Sequence, residues 1–344
     1  MKWMNYGEKA KLLASMMASR LLNAYQNPLK IPFQHILFIR LDEIGDLCNT
    51  THVFRMIRRQ YPQAKTTLLC KSYGKELLAS NLDIDVIITE WPSAKEKFDL
   101  IIDLRCNWKS ILFSLKAWPR FRLDRGTVRI LDSARGMYPH EVVTNYRVVE
   151  SVINEANKTM EPNMAFSLED QAVAENFIIQ HQLGAFALLH INSRRELKKW
   201  PLENFCWVAA YLFKEKKLSI VFIGDSSESA EIEKAQQQLS FKTYNTSGKL
   251  TLTQLAALMT KATIYIGNDS GPLHMASILN TPCIGLYGPA PKDIFYPVGK
   301  KTAVIHHVLE CNPCDQVHCV HPENPCINRI TTNEVKIKLE ELLS

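Results

Sequence analysis

The sequence lacks any run of about 18 consecutive apolar residues, so no segment reads as a bilayer-spanning helix. Its first thirty residues have neither a continuous apolar core nor a small-residue cleavage site, and no secretory signal is expected. Nor is there a strong charge of one sign, the net charge being only +6. That mild basic excess suits nucleotides, phosphorylated glycans or an anionic membrane without selecting one, and no nucleic-acid partner is expected. A disulfide framework is also missing. Five of the nine cysteines (Cys48, Cys70, Cys106, Cys206 and Cys283) stand singly in apolar contexts and read as buried thiols of a reducing cytosol. With 46% hydrophobic and 22% charged residues, the composition is that of a globular protein and argues against disorder.

At 344 residues the chain is long enough for two domains, each with its own core. Residues 9–25 place apolar side chains at 12, 13, 16, 17, 21 and 24, one helical stripe with Lys9, Lys11 and Arg20 outside it. Asn27-Pro28 and Ile31-Pro32 close this helix, so residues 1–32 are expected to precede the globular part. The helix is expected either to touch an inner-membrane surface weakly and reversibly, or to pack on the first domain or a second subunit.

Beyond it, strand-like runs at 36–41, 66–70, 85–88 and 99–103 enclose a helical stretch near 47–60 that starts after Gly45-Asp46. The pattern restarts after 163–170, with runs at 187–191, 218–224, 263–267 and 282–288 separated by helices near 202–216, 227–239 and 271–279. Continuous apolar strands alternating with amphipathic helices imply parallel sheets covered on both faces. The expected fold class is therefore α/β, with Rossmann-like parallel-sheet domains in tandem over 33–165 and 166–331 and a final helix over 332–344.

Residues 266–277 read IGNDSGPLHMAS, a strand running through a polar corner into a helix. Ser270 or Asp269 can cap that helix, Pro272 suits its first turn, and the free amides near Gly271 suit a phosphate. A capped helix with a satisfied His274 is the plainer reading. Two further stretches favour a binding cleft. RLDEIGDLCNT (40–50) repeats the strand–turn–helix geometry with Asp46 at the helix start, and HINSRRELKKWPLENF (190–205) puts a basic cluster after a strand. Facing one another across a cleft, these loops would offer a base for an acceptor hydroxyl and fixed positive charge for a diphosphate leaving group, as nucleotide-sugar chemistry requires.

Taken in order, IRLDEIGDL with TTHVFRMIRRQYP behind it, KKWPLENF, and GNDSGPLHMASILNTPCIGLYGP resemble the family-nine glycosyltransferases, the ADP-heptose:lipopolysaccharide heptosyltransferases, over roughly residues 35–340. HEVVTNY (140–146) and the cysteine-bearing segment are lesser echoes. The resemblance implies a GT-B fold, with the acceptor on the first domain and the ADP-sugar donor on the second. It implies inverting transfer without a catalytic metal or other catalytic cofactor, and a lipid-linked or other glycan acceptor. By position, Asp46 would be the base and Lys198, with Lys199 its rival, would stabilise the leaving group. Asp269 would hold heptose hydroxyls, Ser270, Gly271 and Pro272 would take the diphosphate, Glu228 the ribose, and His274 would brace the corner. The plain alternatives are caps for Asp46 and Glu228 and a solvated lysine for Lys198; His140 and Glu141 read as interdomain or helix-start residues. Asp42 and Glu43 depart from the small polar residues of many members, and their extra acid would raise the pKa of Asp46 or shift acceptor preference.

Asp83-x-Asp85 imitates a metal-binding signature but reads as solvated turn residues. Cys311, Cys314, Cys319 and Cys326, at spacings x2, x4 and x6, would suit a structural zinc or iron, with His318 and His321 as substitute ligands; four free thiols is the other reading. The cluster also resembles the iron-binding motif of autotransporter-modifying relatives, so a protein acceptor is the runner-up. A nucleotide-sugar epimerase and a non-catalytic nucleotide-binding protein are the remaining alternatives. A cytoplasmic protein, peripheral on the inner membrane if the helix docks there, is expected.

Overall fold

Strands too apolar to face water on either side form the centre of two parallel sheets. The structure, a computed structural model, describes residues 6–23, 28 and 31–344, and the chain divides into two units, 1–163 and 164–344.

The first unit opens with α1 (Tyr6–Leu22), β1 (His35–Ile39), α2 (Ile44–Cys48), α3 (Thr51–Gln60), β2 (Lys65–Leu69) and α4 (Ser72–Leu77). It continues with β3 (Val86–Ile88), β4 (Leu100–Asp103), α5 (Trp108–Ala117), β5 (Phe121–Asp124), α6 (Arg125–Ala134) and α7 (Glu141–Val149). The strands lie parallel in the order β3-β2-β1-β4-β5, with Ile36, Leu37, Phe38 and Ile39 of the central β1 fully buried. The helix expected near 47–60 is two helices, and Asp46 lies inside the first of them rather than ahead of it. Asp85 is exposed in the turn before β3, as expected, and its carboxylate accepts from Arg58 Nη2 and the Thr66 amide, each at 2.7 Å.

The N-terminal helix belongs to this unit, packed on β5, α5 and α6. Only part of the stripe its periodicity suggests is packed: Leu12 is buried and Met16 half-buried, but the packed face is turned toward the serines. Ser15 and Ser19 point inward and donate to the two carboxylate oxygens of Asp124, at 2.8 and 2.5 Å. Buried Arg122 donates to the Ser15 carbonyl at 3.0 Å and to Asp103 at 2.7 Å. Leu12, Ala18 and Leu22 are buried beside the serines, whereas Leu13, Met17 and Leu21 face solvent. Residues 24 and 25 of the expected helix lie outside the described residues.

The second unit runs α8 (Leu168–Gln180), β6 (Phe186–His190), α9 (Leu202–Lys216), β7 (Ser219–Phe222), α10 (Ser229–Gln237), β8 (Thr243–Asn245) and α11 (Leu252–Met259). Then come β9 (Ile264–Asn268), α12 (Gly271–Ile278), β10 (Cys283–Tyr287), α13 (Lys292–Phe295), β11 (Thr302–His306) and α14 (Thr332–Leu343). Its strands are parallel in the order β11-β10-β9-β6-β7-β8. The C-terminal helix is part of this unit, with Val335 and Leu339 buried in the same apolar cluster as Phe205, Leu212 and Leu286.

Candidate active site

In parallel α/β sheets ligands gather beyond the carboxyl ends of strands where the strand order reverses. In the second unit that point lies between β6 and β9. Asn268, the last residue of β9, spends its whole side chain on the neighbouring loop. Its Oδ1 accepts the Trp200 amide at 3.0 Å, and its Nδ2 donates to the Ile191 carbonyl at 2.9 Å. The turn Glu196–Lys198 is thereby held beside the strand end, and Lys198 Nζ donates to Asp269 Oδ2 at 2.6 Å. Lys199 points elsewhere, pairing with Glu196 at 3.0 Å and Glu231 at 3.6 Å.

Ser270 occupies the N-cap position of α12 without capping it through its side chain. Its hydroxyl donates to the Asn268 carbonyl at 3.1 Å and lies 3.0 Å from His190 Nδ1. The expected side-chain cap is thus absent, because the hydroxyl is drawn back toward β6. Pro272 in the first turn has no amide to satisfy, and Ser270, Gly271 and Pro272 stay partly open to solvent. His274, one turn on, is buried with Nε2 4.0 Å from Asp269 Oδ1. Glu228 Oε2 accepts the Asp225 amide at 3.0 Å and lies 3.3 Å from His190 Nε2. A Cβ at Gly224 would come within 2.6 Å of that oxygen, so glycine there permits the carboxylate its position.

In the first unit the reversal lies between β1 and β4. Arg40, directly after β1 and only 1% exposed, is the hub of the corner. Its Nη1 donates to the Leu104 carbonyl at 2.8 Å and to Asp42 at 3.1 Å. Its Nη2 donates to the Asp46 carbonyl at 3.1 Å and to Glu141 at 3.2 Å, and lies 3.5 Å from the Asp46 carboxylate. Asp46 Oδ2 also accepts the Glu43 amide at 3.3 Å, closing a capping box over α2. Burial pushes the Asp46 pKa up; Arg40 and Arg125 oppose this, while Asp42 and Glu141 add to it. A carboxylate so raised is a stronger base than an exposed aspartate. Asp42 acts in the anticipated direction, while Glu43 turns away to pair with Lys71 at 2.8 Å.

Glu141 is fully buried at the first position of α7, where His140 is the N-cap and its Nδ1 accepts the Val142 amide at 3.2 Å. Three arginines surround its carboxylate: Arg125 at 2.5 Å, Arg129 at 3.0 Å and Arg40 at 3.2 Å. Burial alone would raise its pKa, but Arg125, Arg129 and Arg40 hold it far below the ordinary carboxylate range. Glu141 thus reads as the anchor of an arginine cluster as well as a helix-start residue.

Sequence reasoning missed Arg40 and His190 as organising residues. Each stands at the carboxyl end of a buried strand (FIRL, LLHIN), a polar residue where the apolar run ends, and that was the available signal.

Cys311, Cys314, Cys319 and Cys326, with His318 and His321, line one small cavity. Among the described residues no group of three or more His, Cys, Asp or Glu side chains is disposed to hold a metal ion. His318 is engaged by Asp315, 3.2 Å from its Nδ1.

The family described as Glycosyltransferase family 9 (heptosyltransferase) matches residues 93–324. The lipopolysaccharide core heptosyltransferase OpsX of Haemophilus influenzae is 25% identical over 274 residues, covering 73% of this chain and 78% of that protein. Among solved structures, the ADP-heptose lps heptosyltransferase II of Escherichia coli superposes with a TM-score of 0.71 at 20% identity, covering 90% of this chain and 98% of its own. The iron-containing dodecameric glycosyltransferase TibC of enterotoxigenic E. coli superposes with a TM-score of 0.60 at 13% identity, over 90% of this chain and 76% of its own. These likenesses identify the paired parallel-sheet units as the GT-B fold.

Proposed function

Because the chain belongs to glycosyltransferase family 9, and is therefore a glycosyltransferase, we propose that it transfers heptose from ADP-heptose to a hydroxyl of the lipopolysaccharide core, with inversion and without a catalytic metal. The observation that carries this reading is the Lys198–Asp269 ion pair beside the uncapped, partly open N-terminus of α12.

Asp46 takes the proton of the acceptor hydroxyl while that oxygen attacks the anomeric carbon. The bond from the anomeric carbon to the phosphate oxygen breaks, and ADP departs with the electron pair. Lys198 and the α12 amides stabilise the charge gathering on the leaving phosphate, in the manner of other preorganised anion sites. Asp269 accepts hydrogen bonds from heptose hydroxyls and keeps Lys198 in place, with His274 bracing it. Ser270, Gly271 and Pro272 border the diphosphate, and Glu228 serves the ribose from its place against His190.

A thermal-shift panel tests the donor site. At about 100 times its Kd, ADP-heptose should stabilise the protein by about 2.7 kcal/mol. For a unit of this size that is a rise of roughly 5–10 °C. Asp269→Ala should abolish the rise. Selective shifts with UDP- or GDP-sugars would overturn the donor, and no shift with any nucleotide would leave α12 an ordinary helix.

One observation favours a second reading in part: the four cysteines line a single cavity. Four thiols at these spacings supply the donor types of a structural zinc or iron site, but as placed they are not gathered into one, so an ion would have to draw the loop together. Such an ion would stiffen the loop over 311–326, and an iron-loaded chain would favour a protein acceptor. Elemental analysis should find about one zinc or iron per chain, lost in Cys314→Ser/Cys319→Ser together with a lower Tm. Four freely titrating thiols in metal-free wild type would remove both the ion and the argument for a protein acceptor.

A further inference from the structure

The N-terminal helix packs with a mixed face, Ser15 and Ser19 among Leu12, Ala18 and Leu22. Its serines reach the Arg122–Asp124–Asp103 network, while Leu13, Met17 and Leu21, spaced i, i+4 and i+8, are 44%, 68% and 59% exposed. Scattered exposed apolar side chains are ordinary, but three in a row along the solvent side of a helix are not. The adjoining α5 repeats the pattern, with Trp108 (52%), Leu112 (55%) and, just past its end, Trp118 (61%) exposed.

We propose that this face of the first unit is a docking surface for an anionic lipid bilayer. The charges around it decide between a membrane and another protein surface. Glu8, in the first turn of α1, is the one acid on these two helices; residues 9–22 and 104–123 contain no Asp or Glu, and Lys11, Arg20, Lys109 and Lys116 lie on the same two helices as the apolar stripe. Against a second copy of the chain this face would set like charge against like charge, which is costly. Against anionic headgroups the same cations are attracted, while Leu, Met and Trp enter the acyl boundary. Exposed tryptophans suit that boundary, being apolar with one polar edge.

The location suits the proposed chemistry. Ser15 and Ser19 bind Asp124, the last residue of β5, and Arg122 binds Asp103, the last residue of β4. In a parallel sheet these are the carboxyl ends, the side on which β1 leads into Arg40 and Asp46. A lipid-linked acceptor would therefore arrive at the end of the sheet that carries the base. The membrane surface rests on the transferase reading for its purpose only, since binding to lipid can be measured without turnover.

Flotation of the full chain with vesicles of phosphatidylcholine, alone or mixed with phosphatidylglycerol, tests this. Wild type should partition at least about tenfold more onto the mixed vesicles, and salt should weaken it. Leu13→Gln/Met17→Gln/Leu21→Gln should cut binding at least about tenfold with unchanged circular dichroism. Lys109→Gln/Lys116→Gln should cut it about fivefold per charge, and decides the matter alone if the triple variant does not fold. Wild type left unbound by both vesicles would overturn the proposal. So would a wild-type dimer in light scattering that the triple variant splits, since a second copy would then cover the face.

Discussion

Asp46→Asn should lower kcat by about 10²–10⁴ while leaving the ADP-heptose thermal shift intact. Asparagine keeps an oxygen to accept the Glu43 amide, so the capping box over α2 survives and only the proton acceptor is lost. The pH profile supplies a second readout. Turnover by the proposed base needs ionised Asp46, so the rate should fall on the acid side as the carboxylate protonates. Burial raises that pKa, so the limb should lie above the ~3.9 of an exposed aspartate. The residual rate of the variant should lack this limb. Full turnover in Asp46→Asn would place the base elsewhere.

Glu141→Ala should be the most damaging substitution for stability, although this carboxylate takes no part in the proposed transfer. Removing it leaves Arg40, Arg125 and Arg129 close together without their shared counter-charge. Breaking one side of such a buried cluster costs about 3–5 kcal/mol, or a Tm loss of roughly 6–20 °C for a unit of this size. The pH dependence follows from the direction of the shift. A carboxylate whose pKa is lower folded than unfolded adds stability fully present above the unfolded value, about 4.3, and lost as pH falls toward the folded one. Wild type should therefore lose stability progressively below about pH 5, and Glu141→Ala should show a smaller acid-side loss from a lower plateau. A Tm within about 2 °C of wild type at neutral pH would mean that the arginines find other partners.

Much of the molecule was legible in the sequence because its determinants are local. Unbroken apolar strands alternating with helices specify parallel sheets in any context, and GNDSGP at a strand end marks a corner where an anion can be held. Edge strands were less visible: β5, β8 and β11 read FRLD, TYN and TAVIH, too short, polar or mixed to declare themselves beside the central runs.

Periodicity, turn chemistry and the order of apolar runs thus determined the α/β character and the two strand–turn–helix corners with Asp46 and Asp269 in them, while the resemblance to family nine singled out Lys198 and the roles of all three. The tertiary structure decided which groups meet. It sent Lys198 to Asp269 and Lys199 to Glu231, because Asn268 grips the loop between them and β9. It joined Arg40 to Glu141, 101 positions away, and Ser15 to Asp124, 109 away. It also set the hand of α1: a stripe of leucines and methionine looks inward by pattern alone, but a buried Arg122–Asp124 pair on the neighbouring strand binds serines more strongly than it tolerates apolar groups. The serines went in with Leu12, and Leu13, Met17 and Leu21 of the stripe were left facing out.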